Sequence, residues 1–349
     1  MLSVLSLPYG LAVRTRSMMY ERGWWSQQRL PCPVLSVGNL TVGGTGKTPM
    51  VMWLSRWFSE RGRRVGILSR GYRRSRRNSF LLVSDGDNVL VSPGEAGDEP
   101  FLMARQCPGV VVAVGSNRYR LGQWVLEQTP VDCFVLDDGF QHRNLCRDLD
   151  LLLIDTSTPE SLHRLLPAGK LREPLSCAAR ATAVVLTRVD MAQDWRNVLT
   201  LLEDAIGEVI HPISTRFRAV SLVDARTEAV RAPNGIAGKR ALIFSGIGNA
   251  RSFHTIVAGL HVQILDEIVF PDHHAYRRRD LITVRRKRMQ CGADLVLTTE
   301  KDAVKIAPLL ESGDEIQAVR LGIQFVDGQD QLEGHLLAMD HIIGCRGVK

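Results

Sequence analysis

The chain is poor in the features that mark several broad protein classes. Its seven cysteines are an odd, scattered set in 349 residues with no CxxC pair. That argues for a reducing compartment and against a zinc site. No run of about 18 apolar residues occurs, so no membrane-spanning helix is expected. The first residues carry no charges ahead of their apolar run and no small-residue cleavage site after it, which excludes a signal peptide. Neither an RNA-recognition signature nor a zinc finger is present, so no nucleic acid is expected as partner. There is no internal repeat and no low-complexity stretch.

What is present is an apolar, basic chain. Hydrophobic residues make up 45%, enough for a packed core, and the length suggests two domains. The net charge of +7 is clustered: Arg61, Arg63 and Arg64, then Arg70, Arg73, Arg74, Arg76 and Arg77, and later Arg277 to Arg279 and Arg285 to Arg288. Such patches suit anionic partners, although any single cluster is also explained as a solvated face. Strand-like runs near 33–38, 64–69, 109–115, 132–137, 149–154 and 182–187 have helices between them. They predict an α/β fold with a mainly parallel, P-loop NTPase-like sheet. Residues 80–92 look like an inserted hairpin and 117–128 like a helix. The sheet is expected to run out near residue 215, and 216–231 reads as a two-stranded linker. A second, smaller α/β domain begins near 232, with strands at 241–245, 294–298 and 317–325. The expected organisation is thus 1–30, 31–215, 216–231 and 232–349. Within 1–30, arginines with Trp24 and Trp25 suit a helix in a membrane interface. The arginines do not share one helical face, so a helix packed on the domain surface is the alternative.

The most informative stretch is Val34 to Pro49. An apolar strand leads into a glycine-rich turn, and a helix opens at Lys47-Thr48. That is the build of a nucleotide-phosphate cradle over Thr41, Val42, Gly43, Gly44, Thr45, Gly46, Lys47 and Thr48. Backbone N–H groups turn toward an anion, and the helix N-terminus adds partial positive charge. Lys47 would reach the β- and γ-phosphates, and Thr48 would ligate Mg²⁺. Thr41 stands where the first glycine of GxxxxGK(S/T) is usual, and Gly43 and Gly44 supply the flexibility. The bland alternative is an unliganded turn. Met50, Val51, Trp53, Leu54, Trp57 and Phe58 recur at helical spacing and read as core rather than as a base-stacking site.

Asp137 and Asp138 end an apolar strand. An acid there, beside a phosphate cradle, holds Mg²⁺ or its water, and two adjacent carboxylates need a cation. Asp98 and Glu99 open a helix after Gly97, which alone reads as an acidic cap. Asp272-His273-His274 is a candidate acid–base group. His142 reads as a structural histidine. Lys170 and Arg172 lie in a loop able to grip phosphate. Gly246-Ile247-Gly248 is a weak dinucleotide-like signal. Thr187 to Asp190 is faintly like the guanine-reading motif of GTPases but lacks its Asn and Lys. A regulatory ATPase with the KGGxGKT cradle would carry lysine at Val42, which weighs against that class.

Taken in order, VGNLTVGGTGKTP (Val37 to Pro49), SRGYRR (Ser69 to Arg74), GDEP (Gly97 to Pro100), LDDGFQHR (Leu136 to Arg143), LLPAGKLREP (Leu165 to Pro174) and FPDHH (Phe270 to His274) resemble the tetraacyldisaccharide 4′-kinase family, the lipid A 4′-kinases. The resemblance spans residues 33–275. It implies transfer of the ATP γ-phosphate to the 4′-hydroxyl of a lipid-linked disaccharide 1-phosphate. It also implies a peripheral enzyme at the cytoplasmic face of the inner membrane, with the N-terminal helix associating with that surface. Carried over by position, Lys47 and Thr48 bind phosphate and Mg²⁺, and Asp137 and Asp138 organise the metal. Asp98 is the base, with His273 as partner and Glu99 in support. Tyr72 and Arg172 position substrate or phosphates.

Overall fold

Strands form where the sequence carries unbroken apolar runs, and helices where the apolar period is helical. The computed structural model describes residues 2–72, 74 and 80–346; Arg73, Arg76 and Arg77 of the basic run lie outside them. In chain order the first elements are α1 (Leu2–Glu21), β1 (Val34–Asn39), α2 (Lys47–Ser59), β2 (Val65–Ser69), β3 (Leu81–Asp85), α3 (Pro93–Ala96) and α4 (Asp98–Gln106). They are followed by β4 (Val111–Val114), α5 (Arg118–Gln128), β5 (Cys133–Asp137), β6 (Leu149–Asp155), β7 (Ala183–Thr187), α6 (Arg196–Ile206) and β8 (Ile213–Asp224). Then come β9 (Val230–Arg231), β10 (Arg240–Ser245), α7 (Ala250–Ala258), β11 (Gln263–Val269), α8 (Arg278–Cys291), β12 (Leu295–Thr299), α9 (Glu300–Ile306), β13 (Ile316–Asp327) and α10 (Gln329–Arg346). The chain divides into two units, Met1–Arg216 with Phe325–Lys349, and Phe217–Gln324.

In the first unit the strand order is β3-β4-β2-β5-β1-β6-β7-β8. Every pairing is parallel except β3 with β4. Strands β1, β2 and β4 to β7 are buried along their whole length. That is why they read as continuous apolar runs rather than alternating ones. Helix α2 buries Met50, Val51, Leu54, Trp57 and Phe58, which confirms the aromatic pair as core.

In the second unit the order is β11-β10-β12-β13-β8. Leu242 and Phe244 of β10 join one core cluster with Leu281 and Val284 of α8. Their alternates Ala241 and Ile243 join another with Phe253 and Val257 of α7. Alternation along one strand thus feeds both faces of the layer.

Three sequence expectations differ from what forms. The sheet does not run out near 215: β8 continues unbroken to Asp224, and only Val230–Arg231 makes a second short segment, antiparallel to Leu222 and Val223. The alternation over 216–224 belongs to one half-exposed strand, within which the chain passes from the first unit to the second. The end of the range 232–349 groups with the first unit. There the Trp53 and Phe325 rings lie 4.8 Å apart, and Arg63 makes a bidentate pair with Asp340 at 2.6 and 3.1 Å. The hairpin at 80–92 is reduced to β3, a single bridge from Ser84 to Val89 and two backbone bonds, from Asp85 N to Asn88 O and from Leu90 N to Val83 O.

Gly38 shows how tightly the site strand is packed. A Cβ there would lie 2.4 Å from Phe140 Cβ and 2.5 Å from Phe140 N. Backbone cannot yield as a flexible side chain can. Gly38→Ala should therefore cost about 1–3 kcal/mol through overpacking. Urea unfolding measures this, and a variant as stable as the parent would contradict the contact.

Candidate active site

The parallel register fixes where the chemistry gathers. Val37 of β1 lies opposite Asp137 of β5, and Asn39 opposite Leu153 of β6. The chain leaving β1 becomes the cradle, and the chain leaving β5 delivers Asp137 and Asp138 beside it. Val42, Gly43 and Gly44 are exposed at the rim, while Thr45 and Thr48 are buried. Gly43 and Gly46 adopt positive φ (120° and 89°), a conformation that glycine reaches without a Cβ penalty. The loop between β6 and β7 closes the side: Val42 N donates to Lys170 O at 2.8 Å and Arg172 N to Leu40 O at 2.7 Å.

This backbone pairing brings three charges together. Lys47 Nζ lies 3.4 Å from Asp138 Oδ1 and donates to Asn39 Oδ1 at 3.3 Å. Arg172 Nη1 lies 2.8 Å from Asp138 Oδ2 and 3.2 Å from Gln141 Oε1. Burial alone would raise Asp138, but Lys47 and Arg172 outweigh it and hold the carboxyl down at about 2. Asp137 behaves oppositely. Its burial, then the charges of Glu99 and Asp138, raise it to about 6, against the hydrogen bond from Ser69 Oγ at 2.7 Å and the charge of Lys47. Two neighbouring carboxyls are thus pushed apart by their surroundings. Arg118, almost fully buried at the start of α5, is lowered to about 10 by that burial, which the charges of Asp137 and Asp138 only partly offset. His142 is half-buried and pushed down to about 4, chiefly by desolvation and then by Arg118.

Asp98 and Glu99 sit at the N-terminus of α4, both half-buried. Tyr72 is 61% exposed. A Cβ on Gly97 would lie 2.9 Å from Tyr72 O, so the Tyr72 turn abuts the start of α4. His273 belongs to the second unit. Its φ is 57°, and its N–H donates to Gly246 O at 3.0 Å. Gly246 N in turn donates to the fully buried Asp302 at 2.9 Å. The weak Gly246-Ile247-Gly248 signal is therefore a tight turn that carries the His273 segment. His274 stacks on Phe270 at 4.7 Å and pairs with Asp280 at 3.0 Å.

Residues that sequence reasoning did not single out also serve the site: Asn39 and Ser69, each one hydrogen bond from a candidate residue, and Arg118. None carries a spacing signal, because each is brought in by sheet order.

A parallel α/β sheet with a glycine-rich loop, lysine and carboxylates at adjoining strand ends defines a P-loop-type phosphotransferase. Residues 1–339 match the model of the LpxK family, tetraacyldisaccharide-1-P 4′-kinase, and the chain belongs to that family. It is 40% identical to the tetraacyldisaccharide 4′-kinase of Anaeromyxobacter sp. (strain Fw109-5), over 95% of this chain and 90% of that one. It is 39% identical to that of Geobacter metallireducens, over 94% of each. LpxK from Aquifex aeolicus, crystallised in complex with ATP, superposes with a TM-score of 0.76 at 32% identity, over 96% of this chain and 97% of that one.

The two carboxyls give opposite pH signatures. Asp137 holds its proton more tightly folded than unfolded, so its contribution to stability falls as pH rises from about 4 to about 6. That of Asp138 is complete above about 4 and is lost as pH falls toward 2. In ligand-free protein, the melting temperature of the parent relative to Asp137→Asn should drop across pH 4 to 6. A difference that stays constant over that window would contradict the raised pKa.

Proposed function

We propose that the chain transfers the γ-phosphoryl group of ATP to the 4′-hydroxyl of tetraacyldisaccharide 1-phosphate, forming lipid IVA in lipid A biosynthesis. The observation that carries this reading is Lys47, held between Asn39 and Asp138 at the mouth of the phosphate loop, in a member of the 4′-kinase family.

Phosphoryl transfer asks little covalent chemistry of a protein and much alignment and charge neutralisation. Residues Gly43 to Gly46 supply amide dipoles, and Lys47 leaves Asp138 for the β- and γ-phosphates. Arg172 offers its fork to the same oxygens. The sugar 4′-oxygen forms the new bond to phosphorus as the bond to the ADP oxygen breaks, and the hydroxyl proton passes to Asp98. Glu99 supports Asp98, and Tyr72 positions the acceptor. Thr48, Asp137 and Asp138 would hold Mg²⁺, which neutralises phosphate charge when bound. One observation supports that fit: Asp137 Oδ1 is buried without a hydrogen-bond partner.

The enzyme works as a peripheral protein at the cytoplasmic face of the inner membrane. Among the described residues no helix is long and apolar enough to cross a bilayer. Helix α1 is instead tied to the catalytic unit. Tyr9 OH donates to Arg172 O at 2.9 Å and Arg16 to Gln141 O at 2.6 Å. Leu5, Leu7, Leu11, Trp24 and Trp25 stay exposed, apolar material suited to a lipid interface.

With Mg-ATP and tetraacyl disaccharide 1-phosphate in detergent, the product should gain the mass of one phosphoryl group. Asp98→Ala should lower turnover roughly 10²- to 10⁴-fold while ATP affinity is nearly kept. Unchanged turnover would remove Asp98 as the base, and ATP consumption indifferent to the lipid would overturn the kinase reading.

A further inference from the structure

Thr187 and Arg188, at the end of β7, have no part in the chemistry above, yet both reach the phosphate loop. Thr187 Oγ1 donates to Thr45 O at 3.1 Å. Arg188 Nη2 donates to Gly44 O at 2.9 Å, and its Nη1 to Asp155 Oδ2 at 2.5 Å, at the end of β6. All three side chains are buried, with Thr187 at 1% exposure and Arg188 and Asp155 at 8%. The Arg188 backbone is left-handed, at φ 58°. A non-glycine residue rarely holds that conformation unless its surroundings fix it.

A phosphate loop works only if its N–H groups face the anion, so the carbonyls must be held elsewhere. The peptide unit is planar and trans, and its C=O and N–H point in opposite directions. Fixing Gly44 O therefore fixes the N–H of Thr45, and fixing Thr45 O fixes that of Gly46. We infer that Thr187 and Arg188 form a backbone clamp that aims the Thr45 and Gly46 amides at the nucleotide phosphates, with Asp155 setting the guanidinium. Both are positioning residues. The clamp requires a fork, since one guanidinium must bridge the Asp155 carboxylate and the Gly44 carbonyl, which a lysine ammonium does not match. It also places a buried cation beside an anion site. The inference rests on the ATP-binding reading above for the identity of the ligand.

Titration calorimetry of the full chain with Mg-ATP, without lipid, tests it. Arg188→Met should raise the ATP Kd about tenfold or more, and Arg188→Lys should recover only part of that. Thr187→Val, which removes one hydroxyl at nearly constant volume, should raise it about threefold and covers the case in which the arginine variants fold poorly. The KM for the lipid acceptor should be unchanged in each folded variant. Equal ATP affinity in Thr187→Val and the folded arginine variants would overturn the clamp, as would an equal rise in both substrates' constants. A parent chain that binds no ATP would instead remove the reading beneath it.

Discussion

The constraint on which the site depends is the parallel register of β5, β1, β6 and β7. Val37 opposite Asp137, Asn39 opposite Leu153 and Asp155 opposite Thr187 bring four strand ends to one edge. That edge receives the phosphate loop, the Asp137–Asp138 pair, Asp155 and the Thr187–Arg188 pair. Ligands of open parallel sheets bind at the carboxyl ends of strands because loops and helix N-termini converge there. A slip of one residue in any of these strands would turn its core face outward and remove a member of the site.

Electrostatics then divides the labour. Lys47 and Arg172 hold Asp138 charged, while burial and Glu99 push Asp137 toward its protonated form. Asp138 is thus paired with the two cations that a phosphate would claim. Of the five described non-glycine residues at positive φ, three are Asp138, Arg188 and His273. Such backbone is expected where function, rather than local preference, fixes the conformation.

Much of this was legible in the sequence, for physical reasons. Strands buried on both faces leave uninterrupted apolar runs, so β1, β2 and β4 to β7 could be placed within a residue or two. The phosphate loop is local in sequence, and its glycines and Lys47-Thr48 carry their own signal. Contacts made across the sheet leave none. The Lys170–Arg172 segment lies far from Leu40 and Val42 in sequence yet pairs with them, and Asn39, Ser69 and Arg118 are recruited by topology. Thr187 and Arg188 carried no usable motif, because their contacts are to the backbone carbonyls of Thr45 and Gly44, which have no sequence signature. The alternation after residue 215 matched two short segments or one long half-exposed strand equally well, and only the pairing of β8 decides between them.

The central claim is that Lys47 exchanges Asp138 for a terminal phosphate within a loop of inward-facing amides. A structure of the full chain with a non-hydrolysable ATP analogue tests it most directly. The account predicts phosphate oxygens within hydrogen-bonding distance of the Thr45 and Gly46 amides and of Lys47 Nζ. Triphosphate bound elsewhere, with the Lys47–Asp138 pair intact, would contradict it.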